Sequence, residues 1–511
     1  MSATHLPTRL ILMSVLSLGL SADGWANLTY EPGHDPGLGF NTVSWWNYGW
    51  DGPTVWANEV QRMYDYGLRE VSLSPLRFVT PGTGQIASSS QRAPDLEHVE
   101  AAVARATSLG MTVTVNPFVE LENFSTWRGF YNPTPGSNEA ETFWDDYTTY
   151  VVDVAEMAET YGVDAMTIGT ELKTLVQDSG HNTDLTSLID QVDAVFSGQI
   201  GYAANWDNFT NSNLTATVWD HPAVDFVGID AYFRVVTPEE ADNSDSGDFE
   251  GLVVSRWTEL IDTIILPFAQ ARQGGDGLPV KFTEYGATPF NRGIAIASEG
   301  HTVDLDEQLK GFRGLLRALD GYGDVIESLH VWQWGMPGSY NSEFHIDPAR
   351  TSNISGGFDE SLNRRLGQML VDYAANPFIP GDYNGDGVVD ASDIDLLMSN
   401  LGDDSFDLDG DGQADAADLT MLVEEVLNTA FGDANLDRRV DLLDLSALAA
   451  SFEDAAGWSS GDFNGDGVAD LLDLSTLASS FGFESLVPEP AAASVVSMLV
   501  VLTGRRGLSH C

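Results

Sequence analysis

Up to about residue 376, short apolar runs rich in β-branched residues alternate with longer stretches whose apolar positions recur every three or four residues. The runs predict strands at Gly39–Ser44, Glu70–Ser74, Thr112–Asn116, Ala165–Gly169, Ile200–Ala204, Phe226–Asp230, Val280–Thr283 and Ser328–Trp332. The stretches between them predict helices, among them Thr54–Tyr66, Leu96–Leu109, Phe143–Tyr161, Leu252–Arg272 and Leu305–Leu319. Strand and helix in regular turn are the signature of a parallel sheet. Eight such strands predict an α/β fold, a (β/α)₈ TIM barrel over residues 35–376. A doubly wound open sheet is the alternative; it is disfavoured because no glycine-rich phosphate loop follows the first strand.

The pattern changes at Asn376-Pro377, and after Pro380 it becomes repetitive. Four acidic loops of twelve residues start at Asp382, Asp407, Asp433 and Asp462, each leading into an apolar helical segment. The first carries Asp382, Asn384, Asp386, Asp390 and Asp393; the second Asp407, Asp409, Asp411, Asp415 and Asp418. The third carries Asp433, Asn435, Asp437, Asp441 and Asp444; the fourth Asp462, Asn464, Asp466, Asp470 and Asp473. This is EF-hand chemistry, in which alternate residues of a tight loop aim oxygens at a hard cation, so Ca²⁺ is the expected metal. Gly387, Gly412 and Gly467 stand where the loop turns sharply, but the third loop has Arg438 there and is expected to bind more weakly.

The ends read as addresses. Arg9, the apolar run Leu10–Leu20 and Gly24-Trp25-Ala26 predict a signal peptide over 1–26. Val487-Pro488-Glu489-Pro490, an apolar run from Ala491 and then Arg505-Arg506 close the chain over 487–511. Export is therefore expected, with an extracellular or surface location. Disulfides do not hold the protein, since Cys511 is the sole cysteine. Charge narrows the partners: 77 acidic against 23 basic residues give a net charge of −54, which repels a nucleic-acid backbone.

Barrel enzymes place their chemistry at the C-terminal ends of strands. Two glutamates stand there, Glu171 after the fourth strand and Glu284 after the seventh. A pair of carboxyls flanking a glycosidic bond, one acid/base and one nucleophile, is what retaining glycosidases use. Those roles need Glu171 protonated and Glu284 ionised at working pH. Other strand ends carry Asn205, Trp206, Asp230, Tyr232, Trp332 and Trp334, residues suited to sugar faces and hydroxyls.

The segments Thr126-Trp127-Arg128-Gly129, Ile168–Leu172, Tyr202–Asp207, Val227–Phe233, Phe282–Gly286 and His330–Trp334 together resemble glycoside hydrolase family 113. The resemblance implies a retaining barrel enzyme, mainly an endo-β-mannanase, with Glu171 as acid/base and Glu284 as nucleophile. It also implies that Trp127 and Arg128 bind substrate, that Tyr232 hydrogen-bonds the nucleophile, and that Trp332 or Trp334 floors the cleavage subsite. No metal is implied for catalysis. One departure stands out: the family's Lys-Pro-His type motif is Asn116-Pro117-Phe118 here. The acidic repeats resemble type I dockerin modules over 380–428 and 432–483, which implies a cohesin-type partner. The C-terminal segment resembles a PEP-CTERM sorting tail, which implies export and sorting machinery. Two other readings stay open: a different retaining endo-glycosidase such as a galactanase, and a non-catalytic surface scaffold that binds carbohydrate.

Overall fold

The computed structural model describes residues 36–43, 52–87, 95–209, 218–245, 249–296, 302–320, 322–323, 325–335, 343–349, 360–375, 381–383, 389–402, 406, 408 and 413–484. The expected signal peptide, the expected sorting tail, and the loop residues Asn384, Asp386, Asp407, Asp409 and Asp411 lie outside these. The chain divides into two compact units, Met1–Phe378 and Ile379–Cys511.

The first unit is a closed barrel of eight parallel strands. In chain order the strands of this unit are β1 (Gly37–Thr42), β2 (Glu70–Leu73), β3 (Leu76–Val79), β4 (Thr112–Val115), β5 (Phe118–Leu121), β6 (Ala165–Thr170), β7 (Gln199–Asn205), β8 (Phe226–Asp230), β9 (Val280–Tyr285) and β10 (Ile326–Trp332). Round the barrel the order is β1-β2-β4-β6-β7-β8-β9-β10, and β10 closes onto β1 from Gly37↔Ser328 to Asn41↔Trp332. Both faces of such strands are covered, so even the polar residues of runs such as Glu70–Leu73 and Val280–Tyr285 are buried. All eight expected strands are present.

Two strands were not expected. β3 and β5 form a separate parallel pair in register Leu76↔Phe118 to Val79↔Leu121. They prolong β2 and β4 after Ser74-Pro75 and Asn116-Pro117. A proline cannot donate a ladder hydrogen bond, so each interrupts its strand and lets the next four residues pair anew. The result is a taller wall on one side of the barrel mouth.

Glycine matters in β1. Adding a Cβ at Gly37 or Gly39 would collide with Glu70, whose carboxylate faces His330 Nε2 at 2.9 Å in the interior. Outside the barrel, Asn138–Tyr161 is the longest helix. Ser137 caps it by accepting the Ala140 N–H, and Gly162 ends it at φ 66°. The segment expected as one helix over Leu252–Arg272 is Phe249–Leu260 and Leu266–Gln270 joined by a π-helical turn, Ile261–Ile265.

Among its described residues the second unit carries helices and two isolated antiparallel bridges, Arg439↔Glu484 and Ala455↔Val468. Four helices start at Ala391, Ala416, Leu442 and Leu471, each with a capping box. In each, the N-cap is loop position 9, and the position 12 aspartate (Asp393, Asp418, Asp444 or Asp473) answers it. Instead of two cores, one for each repeat, a single core runs through Ile394, Leu397, Leu422, Val440, Trp458 and Leu477. The indole N–H of Trp458 donates to the Asp433 carbonyl at 2.7 Å, and its backbone N–H donates to Asp395 of the first repeat at 2.7 Å. The leucines at the N-termini of the third and fourth helices are not core. Leu442, Leu443, Leu471 and Leu472 are 62–69% exposed.

Loops three and four curl alike. Asp462 accepts the N–H groups of Gly465 and Gly467, and Asp433 accepts those of Asp437 and Arg438. Arg438 takes the left-handed conformation, φ 68°, where Gly467 has φ 86°. A side chain there costs about 1–2 kcal/mol, against which glycine loses about 0.5–1 kcal/mol of backbone freedom. Arg438→Gly is therefore expected to stabilise this unit by up to about 1 kcal/mol. Slower hydrogen exchange across 433–444 would register the gain; faster exchange would refute it. Among the described residues, no three Asp, Glu, His or Cys side chains converge as a metal cage.

Candidate active site

β6 and β9 each carry a register shift near their C-terminal ends, against β7 and against β8 and β10. A bulge re-aims the residues beyond it. In β9 the shift sets Glu284 opposite Asp230 of β8; in β6 it precedes Glu171, which has φ 53°. The two glutamates, 6% and 4% exposed, therefore arrive at one barrel mouth.

Their surroundings differ. Glu171 accepts from Asn205 Nδ2 at 2.9 Å on one oxygen. Its other oxygen accepts from Trp127 Nε1 at 3.1 Å and from Arg128 Nη2 at 2.5 Å. Glu284 accepts the Tyr232 hydroxyl at 3.1 Å. Its carboxyl is pushed up to about 8, chiefly by burial and then by the Glu171 charge, with Arg128 and Tyr232 opposing. That reverses the expectation that Glu284 rests ionised. The cation stands on Glu171, and Glu284 has only a neutral hydroxyl.

Arg128 is itself a buried hub. Its guanidinium lies 3.8 Å from the centre of the Phe118 ring and also meets Glu120 at 3.3 Å. Glu120, on β5, was not anticipated. A carboxylate inside the apolar run Phe118–Leu121 was the available signal. Phe118, where the family pattern has an imidazole, stacks at 6.3 Å with the half-buried Trp332. Asn116 faces the barrel interior, donating to Ser72 and accepting from Thr167.

Trp127, Arg128, Asn205 and Tyr232 thus bond to the glutamates, and Trp332 joins them through Phe118, over which Arg128 lies. Trp206 stands further out, half-buried and edge-on to Phe233 at 6.1 Å. Two expectations need correcting. Trp334 is fully buried, and its indole N–H donates to Glu59 at 3.0 Å, so it packs the barrel and cannot floor a subsite. Asp230 has no exposed surface either; it accepts from Thr283 Oγ1 at 2.7 Å, inside the barrel and away from solvent.

No protein of curated function matches the chain. Among solved structures, a GH113 β-mannanase from Alicyclobacillus acidocaldarius shares 17% identity, covers 68% of this chain and 98% of its own, and superposes with a TM-score of 0.50. A GH113 β-1,4-mannanase shares 18% identity, with coverage of 66% and 98% and a TM-score of 0.49. At such identity the first likeness speaks for the barrel fold. The family profile speaks for more: Glycoside Hydrolase Family 113 matches residues 48–343, over half of the chain, and the protein belongs to that family of retaining glycoside hydrolases.

Proposed function

We propose that the protein is an exported endo-β-mannanase in which Glu284 is the nucleophile and Glu171 the acid/base. The observation that carries the reading is the pairing of two buried glutamates at the mouth of a family 113 barrel, one ringed by donors and one held by Tyr232. Glu284 attacks the anomeric carbon while Glu171 gives its proton to the departing glycosidic oxygen. Glu171 then takes a proton from water, whose oxygen displaces Glu284 and restores the original anomer. Trp332 supplies a ring for the sugar being cleaved. The mannan assignment is supported by the family and by the β-mannanase named in the superposed structure. Phe118 in place of an imidazole favours keeping galactan as the competitor.

A panel of β-mannan, galactan and other β-linked polysaccharides, with product anomers followed by NMR, tests the reading. Mannan cleaved internally with β-anomers released first is the expected result. Cleavage of galactan alone would transfer the assignment, and no cleavage of any polysaccharide would end it.

The acidic loops are read as Ca²⁺ sites. Their donors are all oxygen, and in loops three and four the first aspartate already gathers two backbone N–H groups. Chelator is expected to lower the melting temperature of the second unit and spare the barrel. Metal at about 100 times its dissociation constant adds about 2.7 kcal/mol. An unchanged calorimetric trace of the full chain in chelator would refute this. The exposed leucine pairs support a cohesin-type partner, tested by calorimetric titration with a cohesin domain. The terminal segments support export with sorting of the tail, and mass spectrometry of surface-released protein should find neither end.

A further inference from the structure

Asp230 is a carboxyl at the barrel mouth that the proposed reaction leaves without a part and that, unlike Glu120, no cation meets. It ends β8, has no exposed surface, and is fixed by a chain of hydrogen bonds crossing four strands. Ser74, just past β2, donates to Asn41 of β1 at 2.8 Å; Asn41 donates to the Thr283 carbonyl of β9 at 3.3 Å; Thr283 Oγ1 donates to Asp230 Oδ1 at 2.7 Å. The second oxygen, Oδ2, is buried without a partner. A carboxylate in that place would hold its charge on one neutral hydroxyl, out of contact with any cation. The groups around it are Glu284 of β9, Glu171 after β6, Tyr232, Tyr202 of β7 and Arg128, and the guanidinium is spent on Glu171 and Glu120. Burial, followed by the Glu284 and Glu171 charges, drives the Asp230 carboxyl well above the usual range.

We propose that Asp230 is a positioning residue held as a neutral carboxylic acid beside the two glutamates, and that its Oδ2 hydrogen is the bond offered to Glu284 when Glu284 ionises. A protonated carboxyl has one carbonyl oxygen to accept and one hydroxyl to donate. Thr283 uses the first, and nothing in the resting site uses the second. The register pairs Asp230 with Glu284 on the neighbouring strand and the two carboxyls interact electrostatically, so the unused donor belongs to the carboxyl beside the nucleophile. A neutral acid here does two things that a carboxylate could not: it adds no third anion to a pocket with one buried cation, and it donates. No proton is transferred; Asp230 keeps its own throughout. The idea rests on Glu284 being the nucleophile, as proposed above.

The test uses the full chain. Infrared difference spectra between wild type and Asp230→Asn are taken at about pH 9, above the value of about 8 to which burial and Glu171 push the Glu284 carboxyl. They are expected to show the C=O stretch of a protonated carboxyl in the wild type only. Asp230→Asn retains a carbonyl for Thr283 and an N–H donor, so its activity should stay within about threefold of wild type, and the acid limb of kcat/KM should not move. Asp230→Ala lacks the donor. Its kcat should fall about 10²-fold with little change in KM, and its acid limb should move to higher pH. Absence of the infrared band, or an acid limb shifted down by a full pH unit in Asp230→Asn, would mean that Asp230 is ionised and would overturn the proposal. If Asp230→Ala fails to fold, the asparagine variant and the infrared band still decide. If the wild type cleaves no polysaccharide, the reading of the enzyme fails while the band still reports on Asp230.

Discussion

Glu284→Ala is expected to lower turnover of any polysaccharide the wild type cleaves by at least about 10⁴-fold, the scale seen when a covalent nucleophile is removed. Fold and substrate binding should persist, since the side chain accepts a single hydrogen bond, from Tyr232. The truncation leaves room on the face from which the carboxylate would attack. A small anion such as azide is therefore expected to restore cleavage of a substrate with a good leaving group. It attacks from that same face and is not itself displaced, so the product anomer is inverted. Wild-type rates in Glu284→Ala, or rescue with retained configuration, would remove Glu284 from the role.

Arg128→Met should produce the second large effect, on stability and on pH dependence together. Methionine keeps a flexible stem and deletes the cation that meets both Glu171 and Glu120. Leaving buried carboxylates without their partner costs about 3–5 kcal/mol, read as a lower urea midpoint. The pH effect has a definite sign. Arg128 holds the Glu284 carboxyl down against burial, so its loss raises that carboxyl above about 8 and moves the acid limb of kcat/KM upward. Stability follows the same linkage. The folded chain holds the Glu284 proton more tightly than the unfolded chain, whose value is 4.5, so this contribution is complete below about 4.5 and lost as pH rises through about 8. A variant with unchanged urea midpoint and unchanged pH limbs would show that Arg128 does neither job. The wild-type site has a further consequence: the Glu284 carboxyl, pushed up to about 8, holds its proton at neutral pH, the reverse of what attack requires, so substrate binding must favour its ionised form.

The barrel was legible because short runs rich in β-branched residues, such as Thr112–Val115 and Phe226–Asp230, stand out against the amphipathic helices. β3 and β5 were not, since Pro75 and Pro117 read as the ends of the strands before them. The helix begun at Asn138 was expected from Phe143, where its apolar pattern starts; the Ser137 cap lies ahead of that pattern. The two glutamates were visible as strand-end acids, but the register shifts that bring them together leave no trace in composition. Trp334 shows the limit most clearly. Its burial depends on Glu59, 275 residues earlier, and no local spacing encodes that contact. The merging of both acidic repeats into one core has the same origin, since Asp395 and Trp458 meet only once the chain has folded.

The seam between β1 and β10 bears on how the chain is made. β1 begins at Gly37 and its last partner begins at Ile326, so the barrel closes only when the ribosome has passed both. At about 5–20 residues per second, the ~290 intervening residues take roughly 15–60 s. Throughout that time the outer edge of β1 presents unpaired N–H and C=O groups to any neighbouring nascent strand. Synthesis thus imposes a window of aggregation risk whose length is set by where the first and last strands lie in the gene, and which no improvement in the packing of the finished barrel can shorten.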